Sequence, residues 1–233
     1  MSEPLPIVLI PGLLASPRLY AAQIPQLWRF GPVTLADHTR DDSIAAIARR
    51  ILTTAPQRFA LAGLSMGGYV AFEILRQAPE RVARLALLDT SARADSAEQS
   101  SMRRLQMQQA GSGRLAEIAA AQFERTVHPA HRSDAALRAI TLRMAEEVGA
   151  AAFVRQQQAV LGRPDSRSGL SAIRCPTLVL VGEGDELTPP PLAAEIAAGV
   201  RGAHLVTVPQ SGHLSTLEQP EAVSAALCEW LAA

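Results

Sequence analysis

Short apolar runs alternate along this chain with longer stretches whose apolar residues recur every three or four positions. Six runs, at residues 5–10, 33–36, 59–62, 85–88, 177–181 and 204–208, are dominated by Val, Ile, Leu and Ala and stop at Gly, Pro or Asp. Runs this brief and this continuously apolar are what strands buried on both faces of a parallel sheet require. Between them, residues 43–55 place Ile44, Ile47, Ala48, Ile51 and Leu52 on one helical face. Residues 66–77 place Val70, Ile74 and Leu75 likewise, and 221–231 closes the chain in the same style. Strand and helix in alternation predict an α/β fold with a doubly wound, mostly parallel sheet.

One segment departs from that rhythm. Residues 93–168 contain no strand pattern, only helical periodicity at 102–110, 115–125, 135–148 and 151–161. Gly111-Ser112-Gly113, His128-Pro129 and Gly162-Arg163-Pro164 punctuate it. A helical insertion of this length between two strands predicts a functional cap rather than a plain crossover. The expected organisation is therefore a core of residues 1–92 and 169–233, with a helical cap (lid) at 93–168.

Composition narrows the chemistry. The 233 residues fit one domain with a full core and a modest insertion. Twenty-two basic and 22 acidic residues give a formal net charge of zero, so the basic footprint of a nucleic-acid binder is missing. Every basic residue is arginine; without lysine there is no Walker-type phosphate loop, Schiff-base catalysis or Ser–Lys dyad. Without asparagine there is no N-glycosylation acceptor and no Cys–His–Asn triad. Cys175 and Cys228 read as two buried thiols rather than a disulfide. The apolar stretch 5–15 lacks a basic leader and is broken by Pro11-Gly12, which argues against a signal peptide. No run approaches the roughly 20 apolar residues of a membrane span. A cytoplasmic protein acting on a small molecule, with no nucleic-acid or membrane partner, is the expectation.

The sharpest local signal is Gly63-Leu64-Ser65-Met66-Gly67, which follows the strand run at 59–62 and opens the helical run at 66–77. That is the setting a G-x-S-x-G nucleophile elbow needs, with glycines where bulk would crowd a sharp turn. Ser65 as nucleophile requires a base. Of five histidines, His213 stands on the loop after the last strand, at the same sheet edge as Ser65. His204 begins that strand and falls at the opposite edge, and His38 precedes Ser65. His128 and His131 lie in the insertion without a third metal ligand, so no metal site is expected. An acid must then fix the histidine tautomer. Asp185, after the strand at 177–181, gives the order Ser…Asp…His. Asp89, after 85–88, is its rival, and Glu183 reads as a solvated loop carboxylate. An oxyanion hole needs two converging amides. Met66, following the nucleophile, supplies one, and Leu13 in Ile10-Pro11-Gly12-Leu13-Leu14 the other, unless Pro11-Gly12 merely turns the chain.

With these motifs in hand, the chain resembles the α/β-hydrolase superfamily over essentially its whole length. Gly-Leu-Ser-Met-Gly-Gly, Gly-Glu-Gly-Asp with trailing Thr188-Pro189-Pro190, and Ser-Gly-His with trailing Glu218-Gln219-Pro220 carry the resemblance. It is closest in style to small bacterial members such as carboxylesterases of the biotin pathway, enol-lactonases and a menaquinone-pathway lyase. The resemblance implies a two-step acyl-enzyme mechanism without cofactor, under a helical cap. Pro11-Gly12 departs from the His-Gly often found there, and two leading strands common in larger relatives are not expected. Three functions stay open: hydrolysis of a small ester, thioester or lactone; a cofactor-free elimination or C–C cleavage using the same base; and a ligand receptor on a hydrolase scaffold. In the insertion, Phe123 and Phe153 are expected to form the largest walls of an apolar pocket, and its arginines either hold an anionic substrate or face solvent.

Overall fold

The computed structural model describes residues 4–233. Along the chain lie β1 (Ile7–Ile10), α1 (Ile24–Leu27), β2 (Val33–Leu35), α2 (Ile44–Thr54), β3 (Phe59–Leu64), α3 (Met66–Gln77) and β4 (Val82–Leu88). There follow α4 (Ala97–Gly111), α5 (Leu115–Thr126) and α6 (Ala135–Leu161). The chain then returns to the sheet through β5 (Thr177–Gly182), α7 (Pro190–Gly199), β6 (His204–Val208), α8 (Ser215–Glu218) and α9 (Pro220–Ala232).

The six strands stand in the order β2-β1-β3-β4-β5-β6, and every pair is parallel. The chain winds outward from β1 to β2, then crosses back to β3 and continues the other way. A doubly wound sheet opens its crevice at such a switch, beyond the carboxyl ends of the strands. The loops after β1 and β3 therefore face each other there.

The period-2 alternation of each strand divides the core in two. Val8, Ile10, Leu61, Leu85, Leu87, Val179 and Val181 pack on one face, under α2, α3 and α7. Ile7, Leu9, Ala60, Ala62, Ala86, Leu88, Leu178 and Leu180 pack on the other, with Leu27 of α1 and Val223, Leu227 and Trp230 of α9. The outer strands differ from the expectation of uniform burial. His204 and Leu205 of β6 are exposed and β2 is only part-buried, because an edge strand has a neighbour on one side alone.

Between β4 and β5 the chain forms only helices and 3₁₀ turns. Ala110, Ile118, Ala119, Ala145 and Phe153 make a small third core there, which also takes in Leu14 from the loop after β1. Gly149, at φ 75° and ψ 162°, breaks α6 into two segments near the boundary that the residue pattern predicts. A left-handed φ of this kind is what glycine tolerates best. No helix of the described residues is long and apolar enough to cross a membrane.

Candidate active site

Ser65 joins β3 to α3 at φ 55° and ψ −114°, a conformation L-residues rarely adopt. A Cβ on Gly63 would collide with the Gly67 carbonyl, and one on Gly67 with the Ile10 carbonyl, so only glycine fits at either place. The strained turn is pinned from β4: the Ser65 N–H donates to Leu88 O at 2.9 Å, and Thr90 Oγ1 donates to Ser65 O at 2.8 Å. Strain of this sort persists only where the surroundings over-determine it.

The Ser65 hydroxyl lies 2.8 Å from His213 Nε2, and His213 Nδ1 lies 2.8 Å from Asp185 Oδ2. A carboxylate only accepts, so Nδ1 carries the proton and Nε2 is left to accept from the serine. Asp185 is fixed in turn by the amides of Leu187 and Thr188 on Oδ1, at 2.8 and 3.0 Å, and by Thr188 Oγ1 on Oδ2 at 2.7 Å. Burial alone would raise the Asp185 pKa, but the His213 charge and these hydrogen bonds hold it below the usual carboxylate range. For His213 burial works the other way, and the Asp185 charge and hydrogen bond outweigh it, leaving the imidazole above its ordinary value.

Asp89 makes no hydrogen bond to His213. Its Oδ1 accepts the Gly182 N–H at 2.8 Å and its Oδ2 accepts the Ser215 hydroxyl. Burial, followed by the nearby Asp185 charge, pushes its pKa up to about 8. It is therefore a weaker acid than an ordinary carboxyl group, buried beneath the site. His204 is exposed on the edge strand, and Glu183 is exposed on its loop.

A further carboxylate organises the histidine loop. Glu218 Oε1 accepts the amides on either side of His213, Gly212 at 2.9 Å and Leu214 at 3.2 Å, while Oε2 accepts the His128 N–H at 2.7 Å. The His213 N–H itself donates to Thr126 O at 2.6 Å. The end of α5 thus grips the loop that carries the imidazole. Burial raises the Glu218 pKa against the lowering effect of its three amide donors. Sequence reasoning quoted Glu218 only as part of a trailing motif; its spacing of five from His213 was the available signal.

Opposite Ser65, the loop after β1 presents the Leu13 amide, and α3 begins with the Met66 amide. Neither has an acceptor among the described residues. His38 Nε2 donates to Gly12 O at 2.9 Å from beneath that loop, and burial depresses its pKa, so it is a neutral prop. Leu14 adopts φ 58°, and its N–H donates to Oε1 of the fully buried Gln156 of α6 at 3.0 Å.

A cavity of about 920 Å³ opens over Ser65 and His213, with Leu13, Met66, Met102 and Met144 among its apolar lining. Phe123 and Phe153 do not line it. Both are fully buried, Phe123 against the sheet-side core and Phe153 in the small helical core, because large rings gain most where no solvent-filled space adjoins them. His128 and His131 belong to no metal-holding group among the described residues. Both cysteines are free thiols, Cys228 buried but Cys175 only partly so, which corrects the expectation of two buried ones.

Known proteins share this architecture. The pimeloyl-(acyl-carrier protein) methyl ester esterase of Edwardsiella ictaluri is 26% identical over 240 residues, spanning 95% of this chain and 86% of that protein. A thermophilic esterase from Thermogutta terrifontis superposes with a TM-score of 0.89 at 30% identity, covering 98% of this chain and 89% of that one. The enol-lactonase of Burkholderia xenovorans LB400 shares the fold, with a TM-score of 0.89 at 22% identity over 100% and 93% of the two chains. The model of the alpha/beta hydrolase family matches residues 7–226, which take in every strand of the sheet and the loops that bring Ser65, Asp185 and His213 together; the chain belongs to that family.

Proposed function

We propose that this chain is a serine hydrolase that cleaves a small carboxylic ester, thioester or lactone through an acyl-enzyme. The observation that carries the reading is the unbroken hydrogen-bonded line Ser65 Oγ–His213 Nε2–Asp185, with two 2.8 Å links. Ser65 Oγ attacks the acyl carbonyl as its proton passes to His213 Nε2. The imidazolium is stabilised by Asp185, which stays ionised. The tetrahedral oxyanion takes the Leu13 and Met66 amides, a pair of donors of which either one contributes about 100- to 1000-fold in kcat. The positive end of α3 supports the same charge. His213 then returns its proton to the leaving oxygen or sulfur. A water, deprotonated by the same Nε2, hydrolyses the acyl-Ser65 ester. The helices of residues 93–168 act as a cap that encloses the acyl group.

The test is covalent labelling with a fluorophosphonate, followed by peptide mapping. The adduct is expected on the peptide containing Ser65, and Ser65→Ala is expected to abolish both label and ester turnover beyond a residual rate. An adduct on any other serine rejects the assignment.

A further inference from the structure

The wall of the cavity carries a charge that the chain does not balance. Asp95, in the loop after β4, keeps only 3% of its side chain exposed and faces two guanidinium groups. Arg103 Nε approaches its Oδ2 at 2.6 Å and Arg103 Nη2 its Oδ1 at 3.3 Å, while Arg163 Nη1 lies 2.7 Å from Oδ1. The arginine side chains are 19% and 6% exposed, and all three residues line the cavity above Ser65. Two cations sharing one anion leave a net positive charge where desolvation makes it expensive. The remaining acids on that wall do not neutralise it. Asp165 is paired with Arg167 and Glu186 sits 3.6 Å from Arg132, while Glu98 is exposed and bonded to Ser96. Arg125, a further lining cation, has no ion pair among the described residues.

Arg163 is held ready for a ligand. Its Nε donates to Arg93 O at 3.2 Å, its Nη1 to Val160 O at 3.1 Å, and its guanidinium lies 4.2 Å over the Tyr69 ring. Its Nη2 has no acceptor among the described residues and is not sealed from the cavity. Arg103 is steadied by Gln157, which in turn bonds Gln106. A donor fixed before the ligand arrives loses little freedom on binding it. Ser65, Tyr69, Arg103 and Arg163 all line this one cavity, so the charged wall and the nucleophile of the proposed reaction face a shared space.

We infer that the acyl group carries a second, anionic end, a carboxylate received by Arg163 and Arg103, so that half-esters of short dicarboxylic acids are the preferred substrate class. This rests on the hydrolase reading for the reaction, though not for the binding. The test separates the two by using Ser65→Ala and calorimetry. Monomethyl glutarate is expected to bind this variant, and methyl 5-methylhexanoate, whose isopropyl end replaces the carboxylate at matched size, to bind about 10- to 100-fold more weakly, the value of one charge-assisted hydrogen bond. Adding Arg163→Met is expected to erase that difference, and Arg103→Met to reduce it if the first double variant does not fold. In the wild type, kcat/KM for activated half-esters of succinate, glutarate and adipate is expected to exceed that of the matched neutral esters, with the advantage lost in Arg163→Met. Equal binding of the charged and neutral esters to Ser65→Ala, or a preference that survives both arginine variants, overturns the inference and leaves the three side chains as a tie between helices. Arginine-dependent binding of the half-ester without turnover of any ester by the wild type upholds it and rejects the hydrolase reading instead.

Discussion

Gln156 Oε1, on the second segment of α6, accepts the Leu14 N–H at 3.0 Å and so fixes a residue held at φ 58° beside the Leu13 amide. The Gln156 Nε2 is buried with no partner, so the carboxamide forgoes one hydrogen bond to make this one. In the proposed mechanism, removing the acceptor frees the loop that aims the oxyanion donor. Gln156→Leu is expected to lower kcat by about 10- to 100-fold with little change in KM, since the loss falls on the transition state. Gln156→Glu keeps an acceptor for Leu14 and is expected to recover most of the rate. Steady-state kinetics on a neutral ester decide it; a rise in KM alone would reduce Gln156 to a packing contact.

The two carboxylates under the site predict opposite variants. Asp185→Asn leaves an amide where His213 Nδ1–H needs an anion, and kcat is expected to fall by about four orders of magnitude in a folded protein. Asp89→Asn is expected to change kcat little. Its effect is on stability, with a definite sign. Burial and the Asp185 charge push the Asp89 pKa up to about 8, so as pH rises from the ordinary carboxyl range toward that value the unfolded chain ionises this group while the folded protein keeps it protonated, and the stability it contributes is progressively lost. The melting temperature of Asp89→Asn relative to wild type is expected to climb from pH 5 to pH 8, as scanning calorimetry can record. A flat difference would remove the argument.

The pH–rate profile follows from His213. In the proposed mechanism the base is the neutral imidazole, and its pKa lies above the ordinary 6.5 because the Asp185 charge and hydrogen bond outweigh burial. The acidic limb of kcat/KM is therefore expected to rise through a midpoint above 6.5. The same shift contributes stability that is complete below the unfolded value and is lost as pH rises through the folded one. In Asp185→Asn the limb is expected to move to lower pH. A wild-type midpoint below 6.5 would contradict the burial-plus-charge account.

Phe123→Ala and Phe153→Ala now have a clear expectation. Each ring is fully buried away from the cavity, so each truncation is expected to cost about 3–5 kcal/mol of stability. Relative kcat/KM across acyl chain lengths is expected to stay the same. Denaturant unfolding beside an ester series reads both; a change in chain-length preference at constant stability would return the rings to the pocket wall.

Local signals made the strands, the elbow at Ser65 and the helical break at Gly149 legible, because each depends on neighbours a few residues away. The three side chains in the 2.8 Å relay were each readable as a residue type at a strand end, yet both Asp89 and Asp185 satisfied that rule. What separates them is the turn through Leu187 and Thr188, whose amides orient Asp185, and the Gly182 amide and Ser215 hydroxyl, which occupy Asp89. The role of Gln156 is not legible in the sequence, and that of Glu218 shows there only as a spacing from His213, for a related reason. A buried polar side chain is defined by the partner it meets, and Leu14 lies 142 residues from Gln156. Ring size predicted that Phe123 and Phe153 would wall the pocket; both instead pack inside cores, set by partners that ring size does not specify.

In the proposed mechanism, the grip of α5 on the histidine loop limits the ways in which substrate could reach Ser65. The Thr126 carbonyl and the His128 amide hold the segment that carries His213, through the His213 N–H and Glu218. Swinging α5 and α6 outward together would strip the imidazole of its support each time the chamber opened. The flank formed by α4 has no such tie to the histidine loop, and there Met102 lines the cavity while remaining 48% exposed. In the proposed mechanism, a ligand that passes on that side leaves the contacts of the His213 loop undisturbed.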